Sequence, residues 1–199
     1  IDHGAGNLVS IGQGLAAAGA LVDVVDTPGG LAGADGIVLP GVGSAAAAFD
    51  RLDEAGFVGP LRETTLPLLG ICVGLQLLFD GSEEDDAGGL GRIPGHVRRL
   101  QNTPRLPHIG WNDVAIRRPD PLLARVPDRE VFYFVHSFAP VADDPADIVA
   151  TSTYGEPFVA AARRGTAIGV QFHPERSGPA GLRILADFVG TCREDADAA

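Results

Sequence analysis

The chain of 199 residues has no lysine and no methionine, and only two cysteines, two tyrosines and one tryptophan. Each scarcity excludes something. Cys72 and Cys192 are too few and too far apart for a disulfide framework, and no signal-peptide pattern opens the chain, so a reducing cytoplasm is the expected compartment. No apolar run approaches the ~18 uninterrupted residues that a bilayer-spanning helix needs. The hydrophobic 45% is therefore expected to form the core of one globular domain over residues 1–199, with 194–199 as a frayed acidic tail. Basic residues, all arginine, number 15 against 26 acidic ones, and the net charge of -11 repels phosphate backbones and anionic lipid. Nucleic acid and membranes are poor partners for such a surface. The missing lysine, set beside abundant alanine and glycine, reads as codon bias and is given no mechanism. Without a methionine, Ile1 is not read as the translated start, and the first strand is expected to be cut short.

What is present is organised by period. In the first 80 or so residues, short apolar runs alternate with helix-spaced stretches, and glycine or proline marks each switch. Leu8, Ile11, Leu15 and Ala18 fall on one helical face that Gly19 can end, and Leu21 to Val25 then runs extended. Gly36 to Leu39 reads as a buried strand stopped by Pro40. Ser44 can cap a helix from Ala45 to Ala55, closed by Gly56, and Leu68 to Ile71 is the next strand. This alternation predicts an α/β fold with a central, mostly parallel sheet covered by helices. The second half differs. Val97–Leu100, Trp111–Ile116, Val131–Val135, Ile148–Ser152, Phe158–Arg163 and Ala167–Phe172 are strand-like pieces on short turns, which predicts an antiparallel part, before a last helix carrying Leu182, Leu185, Phe188 and Val189. Ser82 to Asp86 reads as a solvated acidic loop.

The sharpest chemical signal is Gly70-Ile71-Cys72-Val73-Gly74 between a strand and a helix, the form of a nucleophile elbow. A lone cysteine is more often a small buried hydrophobe. Flanking glycines at a strand-to-helix turn favour the nucleophile, and the first N–H groups of the helix favour a thiolate and an oxyanion alike. Among five histidines, His173 stands at a strand end in His173-Pro174-Glu175, where a carboxylate two residues on can take the other ring N–H and fix the tautomer. Pro40-Gly41-Val42-Gly43 is a second tight turn after a buried strand. In a doubly wound sheet the carboxyl ends of neighbouring strands share one crevice, so the N–H groups of Val42 and Val73 become candidate oxyanion donors.

Cys72 in its elbow, Gln76 just after it and His173-Pro174-Glu175 far downstream resemble the triad (class I) glutamine amidotransferases, whose domain is flavodoxin-like. The resemblance runs through Asp2 to Leu8, Pro40 to Gly43, Gln76 to Phe79, Pro107 to Asn112, Tyr133 to Ser137 and Gly169 to Glu175. Within the family the residues resemble more closely those of the glutaminase subunits of histidine biosynthesis. What it implies is a Cys72 thiolate attacking the side-chain amide of glutamine, His173 protonating the departing ammonia and Glu175 orienting His173. Positions matching Gly43, Gln76, Glu84, Tyr133 and Ser137 would hold the substrate's α-amino and carboxylate groups. Asn7, Trp111 and Arg176 would face a cyclase partner, a (β/α)₈ barrel that receives the ammonia in a heterodimer. No cofactor and no metal is implied.

Three residues depart from the family pattern: His3 and Phe138 stand where tyrosine is common, and Arg176 replaces a lysine after the triad glutamate. Arg176 keeps the charge but presents a rigid fork. Plainer roles remain open for two interface candidates, since Asn7 is a good helix cap and Trp111 suits a core. Rival functions are the glutaminase of another synthase (pyridoxal phosphate, anthranilate or guanylate synthesis) and a silent amidotransferase-like binding module.

Overall fold

The structure, a computed structural model, describes residues 1–4 and 6–198; Ala5, inside the Asp2 to Leu8 motif, and Ala199, the last residue of the expected tail, lie outside the described residues. Helix α1 (Leu8–Ala17) is capped by Asn7, whose side-chain oxygen accepts from the Ser10 N–H at 3.3 Å. Gly19, at φ +85°, takes the chain out of it. In the same way Ser44 accepts from the Ala47 N–H at 3.3 Å and starts α2 (Ala45–Glu54), which ends before Gly56 at φ +78°. A short helix α3 (Val58–Glu63) follows.

The strands are β1 (Ile37–Gly41), β2 (Leu68–Cys72), β3 (Gly81–Ser82), β4 (Ala87–Gly88), β5 (Gly95–Arg99), β6 (His108–Ile116), β7 (Glu130–His136), β8 (Phe138–Ala142), β9 (Ile148–Tyr154), β10 (Glu156–Arg164) and β11 (Ala167–Val170). Helix α4 (Val73–Leu77) leaves β2 with no residue between, and α5 (Gly178–Ala198) closes the chain. The main sheet has seven strands in the order β1-β2-β11-β10-β9-β6-β7, and a smaller one runs β4-β3-β5-β8. Strands β1, β2 and β11 are parallel, with Gly41 opposite Cys72 and Gly169 opposite Gly70. From β10 to β7 every pairing is antiparallel. The carboxyl ends of β1, β2 and β11 therefore share one edge. Leu39, Leu68, Leu69 and Ile71 fill both faces of this parallel part, while Phe132 of β7 stacks on Phe172 at 4.1 Å between ring centroids. Each such fully buried side chain contributes roughly 1.5–3 kcal/mol.

Three expectations are corrected. Leu21 to Val25 forms no strand. Among the described residues its one backbone bond to another segment is that from the Asp2 N–H to the Val25 carbonyl, 2.8 Å, and without a ladder partner Leu21 and Val24 stay exposed. Pro40 does not stop its strand but sits inside β1, the end strand of the sheet, where a missing N–H is tolerated. The acidic residues 194–198 continue α5, because nothing between Gly190 and Ala198 breaks a helix.

Candidate active site

The elbow is enforced by contact. Cys72 adopts φ +56°, ψ −108°, a region that L-residues avoid at a cost on the order of 1–3 kcal/mol. A Cβ on Gly70 would lie 2.5 Å from the Gly74 carbonyl oxygen, and one on Gly74 would lie 1.9 Å from that of Leu39. Both glycines are steric requirements of a turn this close to its neighbours. Gly41 is another, since a Cβ there would meet the Val73 Cβ at 2.8 Å, so the turn after β1 passes directly over the elbow. Val42 is 43% exposed and does not adopt positive φ, whereas Gly43 does, at +93°. His3, buried at the base of this turn, donates its Nε2–H to the Pro40 carbonyl at 2.6 Å.

His173 follows β11 and begins the short helix Pro174–Arg176. Its backbone N–H donates to the Tyr133 carbonyl at 2.9 Å, and its own carbonyl accepts from Ser177 Oγ at 2.7 Å. The ring is thereby anchored at both ends of its residue. Nδ1 donates to Glu175 Oε1 at 2.9 Å, with side-chain exposures of 3% and 2%. Burial works against the charged ring, but the sulfur of Cys72 and the carboxylate of Glu175 together outweigh it and raise the pKa to about 10. His173 is thus an imidazolium at neutral pH. Its Nε2 lies near enough to the sulfur to feel it, yet makes no well-formed hydrogen bond among the described residues. That N–H remains available to a ligand.

These groups line a cavity of about 340 Å³. It collects Cys72, His173, Val42, Val73, Gly43, Gln76, Glu84 and Ser137, together with Phe138, noted above only as a departure from the family pattern, and Pro107, Val135 and His136, for which sequence reasoning found no role. Glu84 does not belong to a plain solvated loop: its carboxylate accepts from the Ala45 N–H at 2.7 Å and is held at the rim. Tyr133 is not among the residues that line this cavity: along β7 Phe132, Phe134 and His136 are buried, and on the opposite face, shared with Val135 nearer the cavity, Tyr133 is half-buried. There its ring meets Trp111 edge-on at 5.9 Å, and the Arg176 guanidinium lies 5.8 Å from its centre. Trp111 is 59% exposed, which rules out the core role, while Asn7 does serve as a helix cap.

Sequence reasoning also missed Gln171. Fully buried, it donates its Nε2–H to Cys72 Sγ at 3.7 Å and accepts from Gln76 Nε2 at 3.2 Å. One amide inside an otherwise apolar strand end, Ile168 to Phe172, was the available signal. His108 and His136 form a further buried pair, Nδ1 to Nε2 at 3.2 Å, and burial depresses their pKa values to about 4 and about 3.

Comparison with known proteins gives the family. A family model described as glutamine amidotransferase class-I matches residues 1–192. The chain is 49% identical over 196 residues to imidazole glycerol phosphate synthase subunit HisH of Synechococcus sp. (strain JA-3-3Ab), covering 95% of this chain and 91% of that one. It is 46% identical to subunit HisH of Halobacterium salinarum (strain ATCC 700922 / JCM 11081 / NRC-1), covering 98% and 93%. The fold is similar to a solved structure described as a GMP synthase component from Thermoplasma acidophilum, with TM-score 0.76 and 22% identity over 100% of this chain and 94% of that one. It is also similar to a glutamine amidotransferase of TM-score 0.71 and 21% identity, covering 95% of each chain. The match to the family model over nearly the whole length, and the identities to HisH subunits, place the chain in the class-I glutamine amidotransferase family.

Proposed function

We propose that the chain is the glutaminase subunit of imidazole glycerol phosphate synthase, with Cys72 as nucleophile, His173 as acid and base, and Glu175 as its orienting partner. The observation that carries this is the meeting, in one cavity, of a strained elbow cysteine with an imidazolium fixed by a 2.9 Å bond to a buried carboxylate. The Cys72 sulfur attacks the carboxamide carbon of glutamine and forms a C–S bond. The carbonyl oxygen takes the negative charge, and the N–H groups of Val73 and, after rotation of its peptide, Val42 stabilise it. His173 Nε2–H passes its proton to the nitrogen, the C–N bond breaks and ammonia leaves. Water then attacks the thioester carbon while His173 takes its proton, and glutamate and the thiolate are released.

Gly43, Gln76, Glu84 and Ser137 hold the substrate's α-amino and carboxylate ends. Both N–H bonds of the Gln76 amide are engaged, to the Phe138 carbonyl at 3.0 Å and to Gln171. Gln76 therefore offers only its oxygen, which suits an ammonium group. Trp111 and Arg176, joined by Tyr133, form with Asn7 the face for the cyclase, a (β/α)₈ barrel that converts the ammonia into imidazole glycerol phosphate and AICAR. The free subunit is expected to be nearly silent, because turning the Gly41-Val42 peptide drives Val42 towards positive φ.

Steady-state glutamate release with and without the cyclase and its nucleotide substrate tests the whole reading. Stimulation by roughly 10² or more, the size of one oxyanion donor, is the expected result. Hydrolysis that responds only to a different synthase would overturn it.

A further inference from the structure

The carbonyl oxygen of Phe138 stands at the origin of a set of hydrogen bonds whose directions can all be worked out. A carbonyl only accepts. Two groups address this one, His136 Nδ1 at 2.8 Å and Gln76 Nε2 at 3.0 Å, so both must donate. The second N–H of Gln76 points at the amide of Gln171, 3.2 Å away, and an N–H requires an acceptor there, which turns the oxygen of Gln171 towards Gln76. The NH₂ of Gln171 then faces the sulfur of Cys72 at 3.7 Å, its one acceptor among the described residues. On the other branch, His136 donates through Nδ1, so the Nε2 of its neutral ring accepts from His108 Nδ1 at 3.2 Å. His108 is clamped in turn by Tyr154, stacked at 4.0 Å between ring centroids. Gln171 itself is fixed by a backbone bond to the Ala160 carbonyl at 2.9 Å and has no exposure at all.

We propose that Gln171 is a positioning residue for the nucleophile: its buried amide N–H holds the sulfur of Cys72, in an orientation dictated through Gln76 by the Phe138 carbonyl. The sulfur has two polar neighbours of opposite demand. As a thiol it can donate to the Val135 carbonyl at 3.8 Å, and as a thiolate it accepts from Gln171. The first contact favours the protonated form and the second the charged form. A flipped Gln171 amide would set its NH₂ against the N–H of Gln76, and Gln76 cannot flip to accept it without setting its own oxygen against the Phe138 carbonyl, so Gln171 cannot present its oxygen to the thiolate, which would repel it. The titratable groups around the sulfur in this cavity are His173, His136 and Glu84, and none of them donates to it with good geometry. His136, held neutral between His108 and Phe138, adds no charge of its own but occupies the second lone pair of the carbonyl that sets the chain.

This inference rests on Cys72 being the nucleophile, and its test is chosen to separate the two. Iodoacetamide alkylation of Cys72 in the complete chain, followed by peptide mass spectrometry against pH, reads the thiolate directly and needs neither glutamine nor a partner. Gln171→Met, which fills the same space without a donor, should slow alkylation near neutral pH about tenfold and move the midpoint of the profile up by about one pH unit, as expected for loss of a hydrogen bond to a charged group. Gln76→Met, which unlocks the amide without touching the sulfur, should move the midpoint the same way by less. In the complex with cyclase, Gln171→Met should lower kcat for glutamate release about tenfold and leave the KM for glutamine unchanged. Should Gln171→Met not fold, the Gln76→Met profile decides. A midpoint unchanged in a folded Gln171→Met chain, or a raised KM at unchanged kcat, would overturn the proposal. Alkylation of wild-type Cys72 no faster than that of an ordinary thiol would overturn the nucleophile reading and this inference with it.

Discussion

The two ends of the main sheet obey different rules. At the parallel end, β1, β2 and β11 are buried on both faces, and their carboxyl ends deliver the Gly41-Val42 turn, Cys72 and His173 to one cavity. At the antiparallel end, β6 and β7 are covered on one face only; the other shows Ile109, Trp111 and Val131 to solvent. The parallel end is therefore where a substitution meets backbone, and the antiparallel end is where it meets solvent. Chemistry needs fixed distances, which closely packed backbone supplies, while the docking proposed above needs surface, which a free sheet face supplies.

The largest effect that would break this contrast is expected at Cys72. Cys72→Ala should abolish glutamate release, by ~10³-fold or more, while ammonia still supports the partner's reaction. His173→Ala should cost nearly as much and Glu175→Gln less, and adding either to Cys72→Ala should change almost nothing, since the three act as one unit. Independent, additive losses in steady-state assays would speak against that unit. Next comes Gly74→Ala, whose new Cβ falls on the Leu39 carbonyl; it should destabilise the fold by about 3 kcal/mol or more in urea unfolding. Trp111→Ala should do the opposite, leaving the unfolding midpoint unchanged but weakening association with the cyclase by ~2 kcal/mol in calorimetry. If Trp111→Ala unfolds the chain instead, the two ends are not distinct in the way described. A smaller effect sharpens the contrast within the parallel end: Val42→Gly should raise basal glutaminase activity about tenfold, by lowering the cost of turning one peptide.

The gentlest test alters pH alone. His173 binds its proton more tightly folded than unfolded, so its contribution to stability is complete below about pH 6.5 and is lost as pH rises towards about 10. His108 and His136 behave inversely. Their folded pKa values, about 4 and about 3, lie below the unfolded value, so stability falls as pH drops from about 6.5 towards those values. Chemical unfolding across pH should show both limbs. Cys72→Ala should flatten the alkaline one, at the parallel end, and His108→Phe the acid one, at the antiparallel end.

The triad was legible because its demands are local. Gly70 and Gly74 betray a turn with no room for a side chain, and Pro174 betrays a strand end that holds a histidine and a glutamate together. The polar chain behind Cys72 was not, because Gln76 finds its partners 62 and 95 residues away, and nothing local records such pairings. Helix α3 was hidden by Gly59 and Pro60, which look like breakers, although proline is tolerated in a first turn where no N–H is needed. Leu21 to Val25 failed in the other direction: an apolar pattern predicts a strand, but only a neighbouring ladder makes one. The place of Tyr133 was not legible either, since a motif puts a residue on a strand without saying which face its side chain takes or how far along the strand the cavity reaches.

The backbone of Cys72 has a consequence for how such a chain changes under selection. A domain of ordinary stability holds about 5–15 kcal/mol in all, so a strained residue of order 1–3 kcal/mol is a sizeable share of it. Glycine would occupy φ +56°, ψ −108° without that strain. Under a screen for heat resistance alone, Cys72→Gly is a change the chain should accept and even favour, and it would erase the chemistry in the same step. A cysteine held at this backbone is thus a mark of selection for turnover and not for durability.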